Sequence, residues 1–367
     1  MKVLLLGFSK IKYMPYANFY LDNINSISNE IHFVYWNRDL REEDLSRYAN
    51  ISFFEFKCFQ NDDVAKITKI KKFVKYKKFV KTILKQNDYD LIVALHTFPA
   101  VLLRNVLIKE YKDKFIFDYR DSTYEKYGFF QKIISKLVKN SKVTFVSSDA
   151  FRSLLPLDCE RKIITTHNIS INTLNQKHNL QLKLNNAIIR IAFWGFVRDK
   201  KLNEALIEKI SIDPRFELHY YGREQQIATS LKNFAKNKNA KNVYFHGEYS
   251  PEERYEFANK TDIVHNMFDD SNMMLAMSNK YYDSIIFKIP QLCYTGSFMA
   301  QQVKKKGIGY ACDPFSENFT SEVYEYYNSL NRGLFVESCN KEVENISQQY
   351  LTAANIVLTI GAGNEQK

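Results

Sequence analysis

The sequence predicts an α/β protein with two doubly wound domains, each built on a parallel sheet. Short apolar runs alternate with longer amphipathic or polar stretches, which is typical of parallel strands joined by crossover helices. The alternation occurs twice, on either side of a polar segment at 172–186 that we interpret as a linker. The length of 367 residues suits two domains of ~150 residues each. We therefore expect one domain over 1–172, a second over 187–342 and a last segment over 343–367.

Short apolar runs define the predicted strands, and several are nearly continuous, as expected of strands that are covered on both faces. In the first half these runs occupy residues 3–7, 31–35, 51–56, 91–95, 115–118 and 143–147. In the second half they occupy residues 189–194, 216–221, 243–246, 263–266, 291–294 and 309–312. Residues 343–359 have helical spacing, and no strand is predicted after them.

The composition indicates the charge of a binding partner and the cellular compartment in which the protein works. Lys and Arg number 52 against 41 for Asp and Glu, and this surplus favours an anionic partner. The five cysteines are scattered without a C-x-x-C pair, which disfavours a disulfide framework or a zinc site and favours the reducing cytoplasm. The first apolar run is too short for a signal peptide, and no window reaches the ~18 apolar residues of a membrane span.

A basic amphipathic helix is predicted between Lys66 and Lys85. Lysines alternate there with Ile, Val, Leu and Phe at helical spacing. Such a helix could lie on an anionic membrane surface, which makes that surface a candidate partner of Lys66 to Lys85. The alternative is a lysine-rich helix that only faces solvent.

Polar residues follow the predicted strands of the first half, at the sheet edge where open parallel sheets bind ligands. Gly7 follows the first strand, and either a tight turn or the approach of a ligand would explain it. His96 follows the fourth strand and Asp121 the fifth, and both are candidates for acid–base catalysis or for binding hydroxyls. The structural alternative is that His96 caps the next helix while Asp118 pairs with Arg120.

The second half carries a candidate diphosphate site. Gly195, Arg198 and Lys201 follow the strand at 189–194, and a guanidinium with an ammonium suits a diphosphate. Ser278 is the predicted N-cap of a helix whose first amides could bind phosphate. Asp283, about one turn into that helix, could accept the hydroxyls of a ribose, although an acid in a first turn also stabilises the helix itself.

The order of these features, along almost the whole chain, resembles the GT-B glycosyltransferases of family four and the related capsular polysaccharide transferases. Residues 89–96, 117–121 and 146–148 are similar to strands and strand ends of the N-terminal domain, and 195–201 and 278–290 to the nucleotide-binding segments of the C-terminal domain. The residues assigned to donor binding are Gly7, Gly195, Arg198, Lys201, Tyr221, Gly222, Ser278, Asn279, Lys280 and Asp283.

The resemblance implies two Rossmann-like domains that face a cleft. It implies transfer of a sugar from a nucleotide-sugar donor, held by the second domain, to a glycan acceptor held by the first, with no cofactor and no metal ion. It favours retention of anomeric configuration over inversion, and His96 and Asp121 as the catalytic residues. It further implies a lipid-linked acceptor in bacterial surface polysaccharide synthesis, a peripheral place at the inner membrane face, and a last helix that crosses back onto the first domain.

One departure from the family pattern concerns the donor sugar. Many relatives carry two glutamates eight positions apart, whereas this chain has Leu275 and Asp283 there, so Asp269 or Asp270 would have to supply the first carboxylate. Two other functions stay open. One is a sugar-nucleotide epimerase on the same scaffold. The other is a basic nucleic-acid-binding protein, which is disfavoured because the basic residues concentrate in one helix and no nucleic-acid motif is present.

Overall fold

The computed structural model describes residues 1–24, 30–60, 66–174, 187–250 and 253–362, with the backbone alone at 66–68. The chain divides into two compact units. Unit 1 comprises Met1–Ser170 with Gln348–Lys367, and unit 2 comprises Ile171–Ser347. The predicted α/β class with two parallel sheets is confirmed. Of the predicted linker, residues 175–186 lie outside the described residues.

Unit 1 contains a parallel sheet of seven strands in the order β3-β2-β1-β4-β5-β6-β7. The strands are β1 Lys2–Leu6, β2 Glu30–Asn37, β3 Ile51–Lys57, β4 Leu91–Leu95, β5 Phe115–Tyr119, β6 Val143–Val146 and β7 Ile163–Thr165. The helices are α1 Ala17–Ile24, α2 Lys66–Gln86, α3 Thr97–Lys109 and α4 Gly128–Asn140, with 3-10 turns at Ile11–Tyr13, Asp149–Leu154 and Leu157–Lys162.

The direction of strand addition in unit 1 reverses between β1 and β4, which pair in parallel from Val3↔Leu91 to Leu6↔Ala94. Both strands are apolar and almost wholly buried because helices cover both faces of the sheet. At such a reversal the crossover helices leave in opposite directions, and a crevice opens beyond the carboxyl ends of the two strands. Gly7 and His96 are the first residues after β1 and β4, so they lie at this crevice.

Unit 2 contains a parallel sheet of six strands in the order β10-β9-β8-β11-β12-β13. The strands are β8 Ile189–Trp194, β9 Phe216–Tyr221, β10 Val243–Gly247, β11 Ile263–His265, β12 Gln291–Tyr294 and β13 Gly309–Cys312. The helices are α5 Ile171–Leu174, α6 Lys200–Ser211, α7 Gln226–Asn237, α8 Arg254–Ala258, α9 Asn279–Phe287, α10 Phe298–Lys306, α11 Phe319–Ser329 and α12 Arg332–Gly361.

The reversal in unit 2 lies between β8 and β11, which pair at Ile263↔Ile191 and Val264↔Ala192. The segments that leave these strands carry Gly195 to Lys201 on one side and Asn266 to Asp270 on the other. Helix α9 follows the second segment and begins at Asn279. The sheet order therefore groups most of the predicted donor-binding residues at one crevice.

Two elements differ from the sequence expectations. Strand β7, Ile163–Thr165, was not predicted because three residues are too few for a periodic signal. Helix α12 begins at Arg332, well before the expected start at 343, and its residues belong to unit 2 up to Ser347 and to unit 1 from Gln348. In unit 1 Tyr350 packs edge-on against Phe19, with ring centroids 5.1 Å apart.

Within the described ranges, no helix is long and apolar enough to span a bilayer.

Candidate functional site

Two glycines allow the loops after β8 and β9 to touch. Gly195 has φ of +113°, a conformation that L side chains rarely adopt. A Cβ at Gly222 would lie 2.1 Å from the carbonyl oxygen of Gly195, so no side chain fits at Gly222 without a backbone shift. The amide of Gly195 donates to the carbonyl of Tyr221 at 2.9 Å. Both predicted glycines thus shape the rim of the unit 2 crevice.

Asn203, which the sequence reasoning missed, holds the segment that carries Arg198. Its side-chain amide donates to the carbonyl of Arg198 at 2.8 Å and to that of Asp199 at 3.0 Å. Its side-chain oxygen accepts from the hydroxyl of Tyr220 at 2.8 Å and from Nε2 of His265 at 3.0 Å. Asn203 is buried with its hydrogen-bonding groups occupied, so we interpret it as a positioning residue.

A carboxyl pair lies beside the predicted phosphate cations. Asp199 has a left-handed backbone (φ 55°) at the start of α6. Burial, a hydrogen bond with Asp269 and the charges of Asp269 and Asp270 raise the pKa of Asp199 to about 7. With its pKa raised to about 7, Asp199 is partly protonated near neutral pH and can donate a hydrogen bond to Asp269. The sequence suggested Asp269 or Asp270 as a carboxylate near the donor, but it gave no sign of the partner Asp199.

The two predicted phosphate cations that follow β8 have different surroundings. Arg198 is exposed, and its guanidinium lies 5.4 Å from the ring centroid of Phe196. Its positive charge helps to lower the pKa of Lys280 in the first turn of α9. Lys201 is exposed at the start of α6.

Ser278 occupies the N-cap position of α9, but its side chain does not cap the helix. The hydroxyl donates instead to the side-chain oxygen of Asn266 at 2.5 Å. Asn266 in turn donates to the side-chain oxygen of Gln291 at 2.8 Å. The prediction that the Ser278 side chain caps the helix is therefore wrong. Hydrogen bonds that run from Gln291 of β12 through Asn266 to Ser278 hold the start of α9 instead. Asn279 is the first residue of the helix and is exposed.

Lys280 lies in the first turn of α9 and is only 7% exposed. Its ammonium sits 4.1 Å from the ring centroid of Phe193 and 4.9 Å from that of Phe268, which is cation–π geometry. Burial lowers the pKa of Lys280 to about 7, with the charge of Asp283 opposing the shift and that of Arg198 adding to it.

Asp283 lies one turn further along α9 and is also buried. Its Oδ2 accepts from the indole nitrogen of Trp194 at 2.8 Å, and its Oδ1 lies 3.4 Å from Nη1 of Arg254. Burial raises the pKa of the carboxyl, while Arg254, Trp194 and Lys280 oppose that shift. The sequence singled out Asp283 as a carboxylate about one turn into this helix, but neither Trp194 nor Arg254 was expected as its partner.

The ring of Tyr221 is covered on both faces. It stacks on His246 and on Phe257, with centroids 4.2 Å away in each case. Stacking of Tyr221 on a nucleobase would need one of these rings to move. Tyr221 also lines a cavity of about 700 Å³ on the sheet face of β9 and β10, together with His219 and Tyr244.

In unit 1 the structure brings together His96 and Asp121. Nε2 of His96 lies 3.1 Å from Oδ2 of Asp121, and Nδ1 accepts from the amide of Phe98 at 3.4 Å. His96 has φ of 85° and ψ of 159°, a combination that is almost confined to glycine. A histidine held there at an energetic cost of ~1 to 3 kcal/mol is a candidate functional residue. His96 also caps α3, as the structural alternative predicted, so helix capping is part of its role.

The other candidate residues at strand ends of unit 1 form contacts within the protein itself. Asp118 is fully buried and pairs with Arg120 at 2.7 Å, which matches the structural alternative for these two residues. The amide of Gly7 donates to the carbonyl of Val34 at 2.8 Å, and its own carbonyl accepts from the hydroxyl of Tyr76 at 2.6 Å. The tight packing around Gly7 thus explains the glycine without a ligand.

Among the described residues, no group of three or more His, Cys, Asp or Glu side chains could hold a metal ion.

The chain has the fold of the GT-B glycosyltransferases. It is similar to the sucrose-phosphate synthase of Thermosynechococcus elongatus, with a TM-score of 0.73, 10% identity and 99% of each chain covered. A glycosyltransferase of Rickettsia africae gives a TM-score of 0.68 at 12% identity over 98% of each chain. The HepE protein of Anabaena, solved in complex with UDP and glucose, gives 0.66 at 10% identity over 97% of this chain and 99% of that one. No protein-family model and no curated protein matches the sequence.

Proposed function

We propose that the chain is a glycosyltransferase that moves a sugar from a nucleotide-sugar donor to a glycan acceptor. One observation carries this proposal: Trp194, the last residue of β8, donates to Asp283 of α9 at 2.8 Å, which brings the first turn of α9 with Lys280 against the strand end that precedes Arg198. Two cations and the first amides of a helix suit a diphosphate. The GT-B fold and the UDP bound in HepE support the same assignment.

In the proposed reaction, the oxygen of an acceptor hydroxyl forms a bond to the anomeric carbon, and its proton passes to the departing phosphate oxygen. The bond between that carbon and the phosphate oxygen breaks, and the nucleoside diphosphate leaves with the electron pair. Arg198, Lys280 and the amides at the start of α9 would meet the charge that develops on the leaving group. No cofactor enters this reaction, and we propose that it proceeds without a metal ion.

Asp283 is the proposed ribose ligand. Trp194 and Arg254 hold its carboxylate from two sides, which fixes its orientation before a hydroxyl arrives. Asp269 is exposed beside Asp199 and is the proposed carboxylate near the donor sugar. We retain Gly195, Gly222, Ser278 and Asn279 as residues that shape this site.

His96 and Asp121 are the proposed catalytic residues of unit 1, where they would orient the acceptor hydroxyl. The family resemblance favours retention, for which no protein nucleophile need be found. The inverting alternative would use one of the pair as a general base. Determining the anomeric configuration of the product by NMR distinguishes the two.

A membrane-linked acceptor is the finer part of the proposal, and helix α2 supports it. Tyr76, Val80 and Ile83 are buried. Ile70 and Val74 are exposed on the same helix, as are lysines such as Lys71, Lys75, Lys78 and Lys81. Apolar residues among lysines suit the surface of an anionic bilayer, where each lysine contributes ~1 kcal/mol. These exposed residues support the proposal that the protein acts at the inner face of a bacterial membrane, and the family resemblance supports a role in surface polysaccharide synthesis.

Sedimentation with vesicles tests the membrane part. Wild-type protein should bind vesicles that contain anionic phosphatidylglycerol, and high salt should weaken the binding. The triple variant Lys71→Glu, Lys75→Glu, Lys78→Glu should lose it. Equal binding to vesicles of neutral phosphatidylcholine, or no binding at all, contradicts this part and leaves the donor site unaffected.

A thermal-shift screen against nucleoside diphosphates and nucleotide sugars tests the function itself. A ligand at 100 times its Kd should stabilise the protein by ~2.7 kcal/mol. Arg198→Ala should reduce the shift and slow transfer by ~2 to 4 kcal/mol of activation free energy. Lys232→Met is the control, since Lys232 is exposed on α7 and pairs with Glu224 at 2.7 Å. Unchanged binding and turnover in Arg198→Ala would contradict the assignment.

A further inference from the structure

Lys280 is a buried amine that the protein surrounds with rings rather than with carboxylates. Its side chain is 7% exposed and lies against Phe193 and Phe268. In the part of the chain that the structure describes, no ion pair involves Lys280. Asp283, its nearest acidic neighbour on α9, directs its oxygens to Trp194 and Arg254. The ammonium therefore lacks the counter-charge that a buried lysine normally needs.

The position of Lys280 indicates which anion would supply that charge. It lies in the first turn of α9, a helix of nine residues whose N-terminal amides and dipole favour an anion. Arg198 brings a second positive charge close to it. We propose that Lys280, rather than Lys201, is the second cation of the diphosphate site, and that it takes up a proton when the diphosphate binds. This inference rests on the proposed function.

Lys201 is the cation that the family resemblance assigns to this role, but its surroundings differ. Lys201 is exposed, so its ammonium is fully hydrated and forms at most a weak, salt-screened contact with a phosphate. The next buried polar position on α6 is occupied by Asn203, which is neutral and bonded to the backbone of Arg198 and Asp199. A desolvated ammonium on α9 interacts with a bound phosphate far more strongly than a hydrated one on α6.

Proton uptake follows from the charges around Lys280. Burial and Arg198 lower its pKa to about 7, and Asp283 opposes this. The titratable neighbour on β11, His265, stays neutral because burial and Lys280 lower its pKa to about 3. A bound diphosphate adds negative charge and raises the pKa of Lys280, so the amine that is mostly neutral at pH 8 becomes charged on binding.

Isothermal titration calorimetry of the full chain with UDP at pH 8 tests the inference. The measurement is repeated in HEPES and in Tris, whose heats of ionisation differ, so that the difference in binding heat gives the number of protons taken up. We expect ~0.9 proton per UDP for the wild type. Lys280→Met should bind UDP ~10- to 100-fold more weakly and without uptake.

Asp199 requires a matched variant because its carboxyl titrates in the same range. In Asp199→Asn the uptake should persist, and Lys232→Met should match the wild type. Equal heats in the two buffers, wild-type affinity in Lys280→Met, or uptake that disappears in Asp199→Asn but not in Lys280→Met would each overturn the inference while leaving a nucleotide site. Failure of every nucleoside diphosphate to bind would overturn the inference and the proposed function together.

Discussion

Replacing Lys280 by Met should stabilise the protein in the absence of ligand, although it weakens the proposed donor site. Lys280 is buried and carries its charge among apolar rings. Met has a similar unbranched stem that can pack against Phe193 and Phe268, and it has no charge to desolvate. Replacement of buried ionic groups by apolar ones of similar volume is often stabilising for this reason.

The pKa of Lys280 sets the size of the effect. The pKa of Lys280 falls from 10.5 in the unfolded chain to about 7 in the folded protein, which corresponds to ~4 kcal/mol of unfavourable burial at neutral pH. The attraction between the ammonium and the two rings is missing in the variant, and its absence offsets ~1 to 2 kcal/mol of that gain. We therefore expect a net gain of ~2 kcal/mol in the free energy of unfolding, which raises Tm by ~4 to 8 °C for a domain of this size.

The pH dependence gives the sharper test. Because the pKa of Lys280 is lower in the folded state, the unfolded chain binds more protons between pH 7 and pH 10.5. The cost of burying Lys280 is therefore complete below pH 7 and decreases as the pH rises through this window. The variant avoids the burial cost of ~4 kcal/mol. That cost should be nearly the same at pH 6 as at pH 7, and it should fall to ~2 kcal/mol at pH 9. The stability advantage of Lys280→Met therefore shrinks as the pH rises.

Thermal unfolding of wild type, Lys280→Met and the exposed control Lys232→Met at pH 6 to 9 measures this difference. Lys232→Met should change the free energy of unfolding by less than ~0.5 kcal/mol at every pH. A destabilised Lys280→Met at pH 6, or an advantage that does not change with pH, would refute the reasoning.

Three further substitutions and one control test the geometry of the two crevices. Gly222→Ala should cost ~2 to 4 kcal/mol of stability in thermal unfolding, because the new methyl would meet the carbonyl of Gly195 at 2.1 Å. The control Gly128→Ala has no atom within 4 Å of its Cβ and should be neutral or stabilising by up to ~1 kcal/mol. Asn203→Ala should lower the free energy of unfolding by ~3 kcal/mol and weaken UDP binding, since it leaves several buried groups unpaired. His96→Gly should keep or raise Tm, because glycine relieves the backbone strain at this position. The same variant should slow transfer at least ~100-fold. Full activity of the variant would show that His96 is not a catalytic residue.

The strands were predictable because a run of neighbouring apolar residues marks each of them. Strands β4, β8, β9, β12 and β13 have the bounds that their apolar runs predicted. Apolar residues predominate in each of these strands, so the run of neighbouring residues marks the strand without knowledge of its partners. Strand β7 and the first turns of α12 escaped prediction, because three residues carry no period and the stretch after Arg332 is largely polar.

The sequence predicted positions for the candidate site but not the contacts of their side chains. The rule that ligands bind beyond the carboxyl ends of strands selected Arg198 and His96, and the predicted helix after Ser278 selected Asp283. The same rule could not reveal that Ser278 bonds Asn266 instead of its own helix, or that Trp194 holds Asp283. These partners come from other strands, and their choice depends on the distance between strands after folding.

Two parallel sheets, the ends of their strands and the cations that follow β8 could be predicted from the sequence, since these features depend on neighbouring residues. The burial of Lys280 among rings and the exposure of Lys201 to water became visible only in the folded protein. The physical reason is that desolvation depends on all the atoms around a charge, and those atoms are supplied by residues far apart in the chain.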